Sequence, residues 1–363
     1  MSSEKSDNWS AKPHTAAKIK LVEEYLTRWV RVLGFAGAGE FYIIDGFAGP
    51  GKYENDVQGS PIAMVKATLR SRPLATMAKA FELIFVEADE KVFEHLTNHI
   101  GKLPNVDGVN INLFNSEFEA AFPEIKRKFP RGFTTSSPLF VFLDPFGAKG
   151  ISWQTVAELL SSRTSEVLIN FDADGIGRNK DNEELMDTVM GDHDWRKDRV
   201  GVSLSTFCRR LVARYKRNLR KLQRVDYAFS FEMRTKANSL DFFLIFASQS
   251  PKGLIEMKQA MKSIDQSGEY RFSDALIGQE SFFKFDDPED HWENTWKEFR
   301  GKTIKREDVE KFILNETPFY NFHKLLRMIY DRGLLKALPD DGSLRKGYFS
   351  KAESLQFLEG KLH

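Results

Sequence analysis

The stretch "FYIIDGFAGPGKYENDVQGSP", residues 41–61, decides how the chain is read. Its first five residues are apolar up to an acid, the pattern of a strand buried on both faces. A glycine-rich turn follows. Gly46, Gly51 and Lys52 stand at the spacing of a phosphate-binding loop, whose next residue must be Ser or Thr to hold Mg²⁺. Tyr53 stands there instead. Pro50 removes a backbone donor, and "ENDVQG" is turn-like where a phosphate loop opens a helix. The dinucleotide fingerprint G-x-G-x-x-G fails as well, because Gly49 and Gly51 are followed by Glu54. What is left is a carboxylate at a strand end, Asp45, beside the small corner Gly46, Phe47, Ala48, Gly49 and Gly51. A glycine corner admits a close backbone approach, and a carboxylate suits a cationic amino-acid end. S-adenosylmethionine (SAM) has that chemistry.

Working outward, strands alternate with helices. "FELIFVEAD" (81–89) is a second strand, "NINLFN" (110–115) a third, "PLFVFLDPFG" (138–147) a fourth and "EVLINFDAD" (166–174) a fifth. Alternation of this kind predicts a doubly wound, largely parallel α/β sheet, Rossmann-like, with ligands at the carboxyl ends of its strands. Glu87 and Asp89 close the second strand, where an acid accepts ribose hydroxyls, and Asn115 and Ser116 follow the third, within reach of an adenine amine. Each could instead be a turn or cap residue. Helices are expected over 15–33, with Ile19, Val22, Leu26, Trp29 and Val30 on the apolar face, and from Ser60 as N-cap with Pro61 in the first position. "EFEAAFPEIKRKF" reads as mostly helical, with Pro123 a candidate break. "YAFSFEM" and "DFFLIFAS" pair as the last strands.

The fourth strand ends in Asp144-Pro145-Phe146-Gly147. An amino-directed nucleic-acid methyltransferase needs acceptors that hold an exocyclic amine with its lone pair toward the sulfonium, and an aromatic that stacks on the extruded base. Asp144, the Pro145 carbonyl and Phe146 supply these, and positioning carries most of the catalysis. No metal is required. D-P-F-G is similar to the corresponding motif of tRNA guanine-N2 methyltransferases. Asn170, Phe171 and Asp172 would line the acceptor pocket, with Arg178 at a phosphate. The helix "FCRRLVARYKRNLRKLQR" (207–224) carries a cationic face without an acid, in which Arg210, Arg214 and Arg217 are candidate nucleic-acid contacts.

From about residue 286 the character changes to "DDPEDHWENTWKEFRG", a linker or bridging helix over 286–302, and 303–363 has the helix, turn, helix, strand, turn, strand order of a winged helix-turn-helix with its wing turn at 339–342. The larger domain spans 1–285. The 363 residues are 41% hydrophobic and 29% charged with a net charge of +1, so any nucleic-acid surface is local rather than global. The single cysteine, Cys208, excludes an intramolecular disulfide, and we expect it in the core. His14, His95 and His99 are expected on the surface or in packing. No apolar run is long enough to span a membrane and no signal-type segment opens the chain, so a cytoplasmic location is expected.

The blocks "AAKIKLVEEYLTRWVRVL", "YIIDGFAGPGKYENDVQGSPIAM", "FVEAD", "VFLDPFG", "LINF" and "GLIEMKQAMKSID" together resemble the three-Cys-motif partner (TcmP) family over nearly the whole chain, and the C-terminal part resembles the winged-helix domain often attached to it. The resemblance implies a class I SAM-dependent methyltransferase fold. It implies that Asp45, Gly46, Phe47, Ala48, Gly49 and Gly51 surround SAM and that Asp144-Pro145-Phe146 face the acceptor. It also implies a three-cysteine, radical-SAM-like protein as a partner. The competing expectation is a non-catalytic SAM-fold subunit of a nucleic-acid modification or repair complex.

Overall fold

The computed structural model describes residues 11–134, 136–145, 150–234, 240–265, 271–273, 289–338, 349 and 352–360. They divide into two compact units, separated between Ile264 and Asp265, with 271–273 returning to the first.

The first unit opens with helix α1 (Pro13–Phe35), whose Pro13 pre-sets the first turn. Then come β1 (Glu40–Asp45), α2 (Ser60–Ser71), β2 (Ala80–Glu87), α3 (Glu90–Ile100), β3 (Val109–Asn115), α4 (Phe118–Lys128), β4 (Leu139–Leu143), α5 (Trp153–Leu159) and β5 (Ser165–Phe171). A helical segment follows, of α6 (Ala173–Arg178), α7 (Glu183–Met190), α8 (Trp195–Asp198) and α9 (Leu204–Leu219). Its last elements are β6 (Tyr227–Arg234), β7 (Leu240–Ser248), α10 (Pro251–Ile264) and β8 (Arg271–Ser273). Eight strands form one sheet in the order β3-β2-β1-β4-β5-β7-β6-β8. β1 to β5 pair in parallel, and β7 runs antiparallel to both β5 and β6. This is a doubly wound, Rossmann-like arrangement with β7 antiparallel between β5 and β6, and its order reverses between β1 and β4.

Alternate side chains of each strand serve opposite faces. On one, Phe41 stacks on Phe81 at 4.7 Å and Trp29 of α1 meets Phe41 edge-on at 5.5 Å. On the other, Tyr42, Ile44, Val141 and Ile169 join Phe118, Phe122, Trp195, Phe207 and Tyr215 in one buried cluster. α4 continues through Pro123. α2 begins at Ser60 but is capped by Gly59, so Ser60 is not the N-cap expected. Among the described residues no helix is long and apolar enough to cross a membrane.

The second unit contains α11 (Glu289–Phe299), β9 (Thr303–Lys305), α12 (Arg306–Glu316), α13 (Phe322–Asp331), β10 (Leu335–Leu338) and β11 (Ser354–Phe357), with an antiparallel sheet ordered β10-β11-β9. The helix expected within 286–302 is α11, and it does not stand apart: Trp296 and Phe299 sit in this unit's core with Ile313, Leu325 and Leu355. Trp296 also donates its indole N–H to the Leu358 carbonyl at 3.0 Å. The expected wing turn, 339–342, lies outside the described residues.

Candidate active site

At the carboxyl ends of the paired strands β1 and β4, the chain after Asp45 folds back as a flap before α2. Ala48 N–H donates to Val86 at 2.9 Å, and Gly59 N–H to the Gly51 carbonyl at 2.7 Å. Gly49 and Gly51 take φ values of +65° and +77°, a region glycine enters without a Cβ penalty. Lys52 pairs with Asp56 at 2.6 Å at the exposed tip, and bridges to Gln58. The lysine of the phosphate-loop spacing is therefore a flap residue.

The Asp45 carboxylate is completely buried. Its Oδ1 accepts from Phe47 N–H at 3.1 Å, and among the described residues Oδ2 has no hydrogen-bond partner. Burial pushes the acid up to about 7, held back by the Ser60 hydroxyl and the Phe47 amide and raised further by Asp144 and Glu87 nearby. An orphaned buried carboxylate oxygen is costly, and a bound cation would satisfy it.

Glu87 is buried at the end of β2, with Oε2 accepting from Gly49 N–H at 2.8 Å and Oε1 from Asp89 N–H at 2.9 Å. The acid thus ties the flap to the second strand. Asp89 itself is exposed and caps α3, accepting from Val92 N–H at 3.0 Å, so its carboxylate is a helix cap. Asn115 spends its amide on the Glu87 carbonyl at 2.9 Å, which fixes β3 to β2. Ser116 N–H donates to the same carbonyl at 3.0 Å. A cavity of about 450 Å³ opens over these ends, lined by Gly46, Phe47, Glu87, Ser116, Phe118 and Pro145 among others.

Asp144 stands next to Pro145, which lines the cavity. Its Oδ1 accepts from the Asn170 amide at 2.6 Å, and its Oδ2 pairs with Lys18 Nζ at 2.5 Å. Among the described residues the other Asn170 atom, Oδ1, is buried without a partner. Lys18 comes from the second turn of α1, is itself buried and lies 5.2 Å from the centre of the Phe242 ring, which His14 meets edge-on at 5.7 Å. Sequence reasoning missed Lys18. The signal was present: Leu21, Val22 and Tyr25 follow at three, four and seven residues, which sets Lys18 on the buried stripe. Tyr53 was missed as a site residue too. Burial raises its hydroxyl, and the charges of Asp144, Asp45 and Glu87 raise it further, so it stands among the three carboxylates.

Other expected residues go elsewhere. Phe146 lies outside the described residues. Phe171 is buried against Tyr215 at 4.8 Å and serves the core rather than a pocket wall. Asp172 caps α6 through Gly175 N–H at 2.8 Å. Arg178 is exposed on α6. On α9, Arg210 donates to the Asp198 carbonyl at 3.2 Å and Arg214 is clamped by Asp198 at 2.5 Å and Asp192 at 3.5 Å, whereas Arg217 is exposed. Cys208 is buried and donates to the Ala173 carbonyl at 3.0 Å. His14 is buried, and His99 sits 3.0 Å from the Pro50 carbonyl, packing under the flap.

No family model matches the chain, and no curated protein matches it. Among solved structures, it is similar to the O-methyltransferase from Bacillus cereus in complex with SAH, at 14% identity and a TM-score of 0.34 over 66% of this chain and 83% of that one. A protein from Legionella pneumophila str. Philadelphia 1 aligns at 9% identity and a TM-score of 0.40 over 69% of this chain and 91% of that one. A chain from Porphyromonas gingivalis W83 assigned to the methyltransferases aligns at 13% identity and a TM-score of 0.29, and there the alignment takes in 61% of this chain but only 40% of the other.

Proposed function

We propose that the chain is a SAM-dependent methyltransferase whose acceptor is an amine, and that the amine is carried by nucleic acid. The observation that carries the reading is the buried Asp45 carboxylate with its orphaned Oδ2, at the strand ends where the sheet order reverses and beside the cavity. A ligand with an ammonium group would satisfy that oxygen. Glu87 would hold the ribose hydroxyls, and Phe47 with Phe118 would supply apolar walls. SAM supplies an electrophilic methyl group when bound. The chain's part is to place an acceptor nitrogen in line with it: Asp144 and the Pro145 carbonyl accept from the amine, and the orphaned Asn170 Oδ1 offers a further acceptor.

The nucleic-acid assignment rests on Asp144-Pro145-Phe146-Gly147, on the exposed cations of α9 and on the second unit, whose order β9, α12, α13, β10, β11 suits a winged helix. The resemblance to the TcmP family adds a three-cysteine, radical-SAM-like protein as the partner class. The test is direct. Calorimetry should show SAM and its demethylated product binding the wild-type chain and binding Asp45→Asn more weakly, and tritiated SAM should label a nucleic-acid pool. Binding without transfer to any pool, unaffected by Asp144→Ala, would remove the acceptor assignment.

A second reading has its own support. Lys18 already occupies Asp144, so the acceptor carboxylate is neutralised within the chain. A SAM-fold subunit that binds the cofactor or nucleic acid without transferring methyl groups would show this arrangement. It predicts SAM binding with no label transfer to any acceptor.

A further inference from the structure

Lys18 is the buried cation that the proposed chemistry leaves without a role. Its Nζ lies 2.5 Å from Asp144 Oδ2, and the Phe242 ring centre is 5.2 Å from it. Asn170 fixes the second Asp144 oxygen at 2.6 Å. Burying such a pair is a poor way to gain stability, because desolvating two charges offsets their attraction and an apolar pair of similar volume does as well. A chemical role fits better. In the reading above, Asp144 is the group that grips an acceptor nitrogen, and the nitrogen it grips in this chain is the lysine's own.

We propose that Lys18 is a self-methylation site. The inference rests on the reading of the cavity as a SAM site, since the co-reactant is a sulfonium methyl donor. The lysine ammonium gives a proton to the Asp144 carboxylate. The freed lone pair on Nζ forms the N–C bond to the sulfonium methyl, the C–S bond breaks, and its electron pair stays on sulfur as a neutral thioether. The methylated amine keeps one positive charge, and the proton taken by Asp144 passes to water. Two positive charges enter the step, and two leave, one on the lysine and one as the proton. The methylated ammonium stays paired with Asp144, so the mark changes bulk rather than charge. Pro145, the residue after Asp144, lines the cavity, and four rotatable bonds in the lysine stem let Nζ turn about the carboxylate.

The test uses the full-length chain and no added acceptor. It is incubated with tritiated SAM, its peptides are mapped by mass, and SAM binding is measured on the same preparation by calorimetry. The expected result is up to one labelled lysine per chain, mapped to Lys18. Lys18→Arg should lose the label and bind SAM within about twofold of wild type, because position 18 faces the acceptor and not the cofactor. If the arginine variant fails to bind, the wild-type peptide map decides alone. SAM binding with no gain in mass after prolonged incubation, or label mapping to another residue, overturns the inference and leaves the proposed cofactor site standing. Failure to bind SAM at all removes both.

Discussion

At the scale of single residues, Asp45 carries the most consequence. A folded-state acid near 7 is neutral at pH 5 and ionised at pH 8. A ligand ammonium binds the ionised form, so the affinity for SAM should be level above pH 7 to 8 and weaken as pH falls below 7, by up to about tenfold per unit. Asp45→Asn should remove this dependence and weaken binding by about 1.5–3 kcal/mol, the worth of a hydrogen bond to a charged partner. For the protein without ligand the sign is opposite. The folded state holds a proton that the unfolded state has lost between the ordinary aspartate value and about 7, so stability falls as pH rises through that window, by about 4 kcal/mol in all. Calorimetric affinities and denaturation midpoints from pH 5 to 8 check both halves. A flat affinity profile would remove Asp45 from the cation site. The residue was legible in the sequence, because an acid at a buried strand's end before a glycine corner has few other uses. Lys18 was harder. A lysine on an apolar helical stripe is a weak signal until the partner carboxylate, 126 positions away in the chain, is seen beside it.

At the scale of elements, apolar runs made β1 to β5 legible, since a strand covered on both faces needs little but hydrophobic residues. The segment from α6 to α9 was not, apart from α9 itself. α6 and α8 are 6 and 4 residues long, too short for a helical period to show. Their absence from the reading mattered, because α8 supplies the acid that takes up part of α9's basic face. The side chain of Arg214 is 12% exposed and held between Asp198 and Asp192, while Arg217 is exposed one turn further on. Charge counted along a helix does not show which cations are spent inside the protein. Arg214→Ala should therefore cost about 1–3 kcal/mol of stability through the two acids left behind. Arg217→Ala should leave the denaturation midpoint in place. If α9 meets nucleic acid, that second variant should also lower the salt slope of binding by about one. Chemical denaturation and filter binding over a salt series separate the two, and a stable Arg214→Ala protein with weakened binding would reverse the assignment.

At the scale of the whole molecule, each unit closes a core of its own. The first is built on the eight-stranded sheet and the second on Trp296, Phe299, Ile313, Leu325 and Leu355. Sequence composition put a boundary at the acidic, aromatic stretch after residue 285, yet it could not say which core Trp296 fills. A tryptophan in a charged helix reads equally well as a linker residue or as an anchor, and only packing decides. Separate cores predict separate cooperative transitions. The cavity and Asp45 belong wholly to the first unit. SAM at about one hundred times its dissociation constant should stabilise that unit by about 2.7 kcal/mol, and a domain of this size then melts about 5–10 °C higher. The second unit's transition should not move. Scanning calorimetry with and without SAM reads both transitions in one trace, and Trp296→Ala assigns the second by lowering it alone, at a cost of about 3–5 kcal/mol for a buried tryptophan. A single transition that shifts as a whole with SAM would mean that the two cores fold as one cooperative block, and the second unit would then have to be treated as part of the cofactor-binding machinery.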